Sequence, residues 1–387
     1  MGASGPAPVG ILSLGALGVA FHHHLTATAA AGENRTAFLL RTGGSGAERS
    51  GPAAVLAIET TAGRIDRPLA PLMAGTLPEA AARGALPEIV LVATNPDQLF
   101  GVVVDYVAVV ETEHRAGRLA AGTARLPLLV LCANGIYFQR IRATFIELLE
   151  EATLLGRLPD LWPALMPAVV GRLMRGVTIQ TALRRGGGGE AVYRPGPSGR
   201  TQLTGGDRAA RAAAVKLLAG YGAWFEDAGD LPPTRVEFNK AMVNLASNVV
   251  GLLASVDAEG RFRPLTVGEI GAPARHPQIR ELVEAVVMVG RGVGVYSLDE
   301  SAEEIFRQTI GAQGPSSSHV PSSLQWLEQQ LAAGTLGAGL SPTEKWLLEP
   351  LQHYARSLGN TSAIDYFEGL ESAVKATFER ARKARPA

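Results

Sequence analysis

Short apolar runs alternate with stretches of helical periodicity over the first part of the chain. The runs PVGILSLG, RTAFLLR, AVLAIE, EIVLVAT, YVAVVET and LPLLVLCANG read as strands. Their alternation with helical segments predicts a parallel sheet covered by helices. The Gly- and Pro-rich stretch RRGGGGEAVYRPGPSGRTQLTGGD is the most linker-like, with EAVYR and TQL as candidate strands of a hairpin inside it. After it, DRAARAAAVKLLAGYG reads as a helix and AWFEDAG as a strand. From about Leu231 the periodicity is almost wholly helical, most clearly in PQIRELVEAVVMVGRGVGV and SPTEKWLLEPLQHYARSLG. The expected organisation is an α/β N-terminal domain of Rossmann type over 1–230 and an all-α C-terminal domain over 231–387.

At 387 residues and 47% hydrophobic content, the chain can bury a large core. Lysine and arginine together number 36, as do aspartate and glutamate, so nothing suggests the footprint of a nucleic-acid binder. Small molecules or a second copy of the chain are the expected partners, and the apolar helical half makes a homodimer possible. Cys132 is the single cysteine, which excludes an intramolecular disulfide. Its apolar surroundings read as those of a buried small hydrophobe. The first residues lack a basic segment before their apolar stretch, and no apolar run of about 18 residues follows. A cytoplasmic protein without a membrane span is expected.

The first candidate chemistry is ILSLGALGVAF. Gly15 and Gly18 stand at the second and third positions of a G-x-G-x-x-G turn between a predicted strand and a predicted helix, the context that a dinucleotide loop requires. Ser13 takes the place of the first glycine. Ser13, Leu14, Gly15, Ala16, Leu17 and Gly18 are the candidate cofactor loop; the alternative is a close-packed strand–helix turn. At the end of the second strand, Arg41 replaces the acid that would accept from a ribose 2′-hydroxyl, which favours NADP over NAD. The competing reading of Arg41 is a solvated strand-end charge. His22, His23 and His24 lie about 100° apart in turn on a helix and cannot all ligate one ion. No metal site is expected.

The second candidate is KAMVNLASNVVGLLAS. Lys240, Asn244 and Asn248 recur every fourth residue and form a polar stripe on an apolar helix. Lysine occurs elsewhere only at Lys216, Lys345, Lys375 and Lys383, in a chain that otherwise uses arginine. A desolvated lysine lowers its pKa and can release a proton, whereas arginine does not. Asparagines one and two turns on can donate to and accept from an oxyacid without adding charge. The alternative is a snorkelling lysine with two asparagines in helix–helix contacts.

These residues resemble the Lys-x3-Asn-x3-Asn helix of the ketopantoate reductases, NADPH-dependent enzymes that reduce 2-dehydropantoate to pantoate on the route to pantothenate and coenzyme A. The resemblance extends in the same order along most of the chain. GALG is similar to the family's glycine loop, LLR at Arg41 to its NADP-phosphate contact, and LCANG to its strand ending in Asn-Gly. HVPSSLQ and PTEKWLLEPL resemble its SSM and TEI signatures. The resemblance implies a C-terminal domain like that of 6-phosphogluconate dehydrogenase. It also implies that Lys240 protonates the C2 carbonyl oxygen while Asn134 and Asn244 orient lysine and substrate. Asn248 would meet the substrate hydroxyl, Ser323 its carboxylate, and Glu344 would be the acid that fixes the hydroxyl or tunes the lysine. Asn134 would also lie beside the nicotinamide.

The chain departs from the pattern at Ser13, at Asn95, where the family often carries a lysine, and at the extra sequence EQQLAAGTLGAG before Glu344. Ser341 and Pro342 also fit a helix start, in which Glu344 would be the capping-box acid. Trp326 and Trp346 flank the extra sequence as candidates for shaping an acyl pocket. The expected function is reduction of 2-dehydropantoate. The alternatives are reduction of another branched 2-oxo acid, a non-catalytic NADP-binding regulatory protein, or a helical interaction module.

Overall fold

A computed structural model of the chain describes residues 8–27, 36–41, 54–186, 190–222 and 224–384. Its contacts separate two units, Met1–Ala133 with Tyr137–Pro233, and Asn134–Ile136 with Thr234–Ala387. The strands, in chain order, are β1 (Val9–Leu12), β2 (Thr36–Leu40), β3 (Val55–Thr60), β4 (Gly63–Pro68), β5 (Met73–Thr76) and β6 (Ile89–Val92). They continue with β7 (Leu128–Leu131), β8 (Leu173–Thr178), β9 (Ala182–Arg185), β10 (Val192–Pro195), β11 (Thr201–Thr204) and β12 (Phe225–Asp227). All belong to the first unit.

Eight of them form one sheet in the order β12-β11-β8-β7-β6-β1-β2-β5. Its pairs are parallel except β8 with β11. Residues of β1, β6 and β7 are buried at every position, as central parallel strands covered on both faces must be. From β5 to β8 the order is that of a doubly wound Rossmann sheet, and winding reverses between β1 and β6. The segments that follow Leu12 and Val92 therefore leave the sheet where such folds open a ligand crevice. Helices α1 (Ala16–Ala27), α2 (Leu77–Ala82), α3 (Leu99–Arg115), α4 (Phe138–Leu154), α5 (Met166–Val170) and α6 (Arg208–Ala219) complete the unit.

The structure corrects three readings. YVAVVET is not a strand but part of α3, where Val102, Val103, Tyr106, Val109 and Val110 are buried at helical spacing. A β-rich composition yields there to the 3.6-residue period of the core contacts. AVLAIE is a strand, β3, yet it lies in a second sheet of order β4-β3-β10-β9. EAVYR and TQL do not form a hairpin with each other. β10 pairs antiparallel with β9, while β11 joins the large sheet beside β8. The Gly- and Pro-rich stretch is thus the crossing from one sheet to the other within the first unit.

The second unit is helical among its described residues. It contains α7 (Pro233–Asn244), a π-helical turn (Leu245–Val249), α8 (Val250–Ser255), α9 (Val267–Ile270), α10 (His276–Gly292) and α11 (Ala302–Gln313). It ends with α12 (Ser322–Ala333), α13 (Pro342–Ser357) and α14 (Thr361–Lys383). Leu245, Val249 and Leu252 lie at the middle of its core with Val286, Leu324, Leu348 and Phe367, all fully buried. No helix among the described residues is long and apolar enough to cross a membrane.

Candidate functional site

The glycine loop joins β1 to α1. Ser13 adopts a φ of +145°, a conformation that side-chain-bearing residues rarely take, and its Oγ accepts the N–H of Gly15 at 2.8 Å. A Cβ at Gly18 would fall 2.2 Å from the Ser13 carbonyl oxygen, so only glycine permits the helix to start this close to the strand. Tyr193 of β10 donates its hydroxyl to the Leu14 carbonyl at 2.7 Å and ties the loop to the second sheet. Nothing in EAVYR marked this role beforehand. The first-turn N–H groups of α1 and its positive dipole end fit the pyrophosphate of a dinucleotide. Ser13 Oγ meanwhile occupies one donor of the loop.

Arg41 follows β2. Its guanidinium covers Gly101 in α3, where a Cβ would meet Nη2 at 2.2 Å, and its buried Nε has no partner among the described residues. The small residues after Arg41, expected to leave room for a phosphate, lie outside the described residues. Asn95 is exposed and opens a short 3-10 turn without capping it through its side chain. His22 is buried against the ring of Phe38, 4.7 Å away, and burial lowers its pKa to about 4, aided by Arg67 and His23. His24 instead meets the Gly196 carbonyl at 2.8 Å. Among the described residues no cluster of His, Cys, Asp or Glu is placed to hold a metal ion.

In the second unit the polar stripe divides into two parts. Asn248 donates from Nδ2 to the Asn244 carbonyl at 3.0 Å, and its Oδ1 accepts the Ser323 N–H at 3.0 Å and the Ser322 hydroxyl at 3.2 Å. It therefore caps the first turn of α12 from a neighbouring helix, in place of Pro321, which offers no side-chain acceptor. The Ser323 hydroxyl in turn donates to Glu344 Oε1, and Ser341 donates to Oε2. Glu344 and both serines are buried. Burial pushes the Glu344 carboxyl above its ordinary range, against the serine and backbone hydrogen bonds that favour the ionised form. The Ser341 N–H is among these bonds, so half of a capping box is present. The extra sequence before Glu344 does not part it from Ser323; α12 runs to Ala333 and turns at Gly334, with φ +73°.

Lys240 and Asn244 stand outside this chain of bonds. No hydrogen bond or ion pair reaches the Lys240 ammonium or the Asn244 side-chain amide among the described residues. Lys240 is partly exposed as a residue, but its ammonium lies among protein atoms, and that burial lowers its pKa to about 8. Asn244 is buried. The turn after it is π-helical, with the Val250 N–H reaching back to the Leu245 carbonyl. Such turns recur at functional sites because they displace one residue from the regular ladder. Here the Asn244 carbonyl receives side-chain donors, the Asn248 amide and, at 3.3 Å, the Ser247 hydroxyl.

HVPSSLQ contains one further residue on which Lys240 acts, with no sign of it in the sequence. His319 is half-buried, and its pKa is lowered by burial and then by the Lys240 charge. Its backbone is held by the Val267 N–H, which donates to the His319 carbonyl at 2.8 Å. Asn134, at the turn after β7, is exposed. Trp326 packs its ring 5.6 Å from Phe378 in the helical core, whereas Trp346 is half-buried.

No protein-family model and no curated protein sequence matches the chain. Solved structures do. D-mandelate dehydrogenase with NADH and anilino(oxo)acetate matches with a TM-score of 0.63 at 16% identity, over 96% of this chain and 99% of that one. The 2-dehydropantoate 2-reductase of Geobacter metallireducens matches with a TM-score of 0.56 at 17% identity, over 95% and 99%. A dimeric ketopantoate reductase of Staphylococcus aureus matches with a TM-score of 0.57 at 14% identity, over 95% and 99%. The chain has the fold of these two-domain proteins, a Rossmann-type α/β domain followed by an all-α domain.

Two outcomes follow from the site's geometry. Ser13→Gly should raise stability by about 1 kcal/mol as the positive-φ strain is relieved. It should also tighten binding of a dinucleotide pyrophosphate at this loop, because the Gly15 N–H is freed. Thermal melts and nucleotide titration read both, and weaker binding would show that the serine's bond does not compete with phosphate. Glu344→Ala should cost about 1–3 kcal/mol by leaving two buried serines unpaired, and Glu344→Gln less, in urea unfolding.

Proposed function

We propose that this chain is an NADPH-dependent reductase of a branched 2-oxo acid, with 2-dehydropantoate as the leading substrate. The observation that carries the reading is Lys240: an ammonium without a partner among the described residues, its pKa lowered to about 8, one turn from an asparagine amide that is likewise unpartnered among them, in the fold that ketopantoate reductases share. Arg41 at the end of β2 supports NADPH over NADH, since a guanidinium suits a 2′-phosphate.

The bound dihydronicotinamide would supply the hydride to the C2 carbonyl carbon. Lys240 then has the task of a general acid, giving its proton to the carbonyl oxygen as negative charge develops there. A donor with a pKa near the working pH is efficient in that role, because it is still protonated yet gives up its proton readily. Asn244 can donate to the same oxygen or to the carboxylate, and Asn134 is exposed for a second contact. Asn248, Ser323 and Glu344 form the support. Their bonds set the first turn of α12 beside the polar stripe, with Ser322 exposed there and Ser323 buried beneath it.

A 2-oxo acid with an aromatic group is the second candidate within the same chemistry, since the chain shares the fold of D-mandelate dehydrogenase as well.

The test is NADPH oxidation at 340 nm with 2-dehydropantoate, phenylglyoxylate and unbranched 2-oxo acids. Lys240→Ala should lower kcat by roughly 10²–10⁴ while leaving NADPH affinity nearly unchanged. Equal loss of both would remove the lysine from the chemistry, and NADPH binding without oxidation by any acid would identify a regulatory protein. In the active enzyme, kcat for reduction should fall as pH rises through about 8, the pKa of the buried ammonium, because only its protonated form can donate. A rate that stays flat to pH 10 would contradict this.

A further inference from the structure

Arg175 is 2% exposed, one of the largest fully buried side chains of the protein, and lies in β8 opposite Leu131, the last residue of β7. Its guanidinium does not leave the sheet. Nη1 donates to the carbonyls of Leu131 and Gly176, each at 2.7 Å, and Nη2 donates to the Ala133 carbonyl at 2.8 Å. The ring of Tyr137 covers it, with its centroid 4.5 Å from Cζ, and the Tyr137 hydroxyl donates to the same Ala133 carbonyl at 2.9 Å. Both lone pairs of that oxygen are thereby engaged, one by a charge-assisted bond.

The Ala133 carbonyl belongs to the peptide plane that begins Asn134. Fixing the oxygen from two sides fixes the plane, and with it the direction in which the chain enters the exposed Asn134. Gly135, with φ +124°, then turns the chain away. We propose that Arg175 and Tyr137 are positioning residues for Asn134, a clamp that sets the asparagine for contact with substrate. The inference rests on the reductase reading, in which Asn134 touches the reacting molecule.

The test is a double-mutant cycle in the full-length protein, with kcat, KM and NADPH affinity measured for each variant. Arg175→Met should lower kcat by roughly 10- to 100-fold, the effect of a small misplacement of a catalytic contact, with NADPH affinity changed by less than about threefold. In the Asn134→Ala background the same substitution should cost nothing further, because the group it positions is gone. Arg175→Lys, which keeps one charged donor, should retain more activity than Arg175→Met. If Arg175→Met does not fold, Tyr137→Phe removes the other bond to Ala133 and should show the same non-additivity. Losses that add in the cycle would overturn the clamp and leave Arg175 a structural residue. A wild-type protein that oxidises NADPH with no 2-oxo acid would overturn the reductase reading itself, and the role of Asn134 with it.

Discussion

The helical unit depends on a buried carboxyl shared between two helices. Glu344 in the first turn of α13 takes the hydroxyls of Ser341 beside it and of Ser323 in α12, and Ser323 passes its backbone N–H to Asn248. A carboxyl group this deep is stable only when its oxygens are met, and the network meets them with neutral donors. The same bonds fix the start of α12 against the π-helical turn. The polar stripe is thereby divided between residues spent on architecture and residues left with free polar atoms.

That division bears on how the family pattern is interpreted. Ser323, Glu344 and Asn248 are contiguous, yet each makes bonds that a purely structural role would also require. Lys240 and Asn244 lack such bonds among the described residues, so their polar ends add nothing to the architecture there. Polar groups kept at that expense are where ligand chemistry is to be sought. Lys240 and Asn244, without partners among the described residues, thus mark chemistry more clearly than Asn248, Ser323 and Glu344, which are well connected.

Much of this was legible in the sequence because it is periodic or local. The four-residue spacing from Lys240 to Asn248, the glycines after β1, and the Ser-Pro start of α13 each follow from short-range geometry. YVAVVET reads as a strand by its β-branched content, yet its buried positions follow a helical spacing. The π-helical turn has no compositional mark in LASNV. Tyr193 and Arg175 act over distances in sequence of 179 and 42 residues, so their bonds arise only once the sheets assemble. His319 carries no local signal, because a lone histidine before two serines acquires meaning only from the Lys240 charge that acts on it.

The π-helical turn also makes the helix unusually tolerant of a change in length. It holds one residue more than an α-turn over about the same rotation, so excising one residue between Leu245 and Val249 would restore ordinary pitch and leave Lys240 and α8 nearly in their present relation. The same excision in the regular stretch of α7 after Lys240 would instead swing the lysine round the axis by about 100°. Homologous chains aligned without allowing for the extra residue would pair the wrong residues with the stripe.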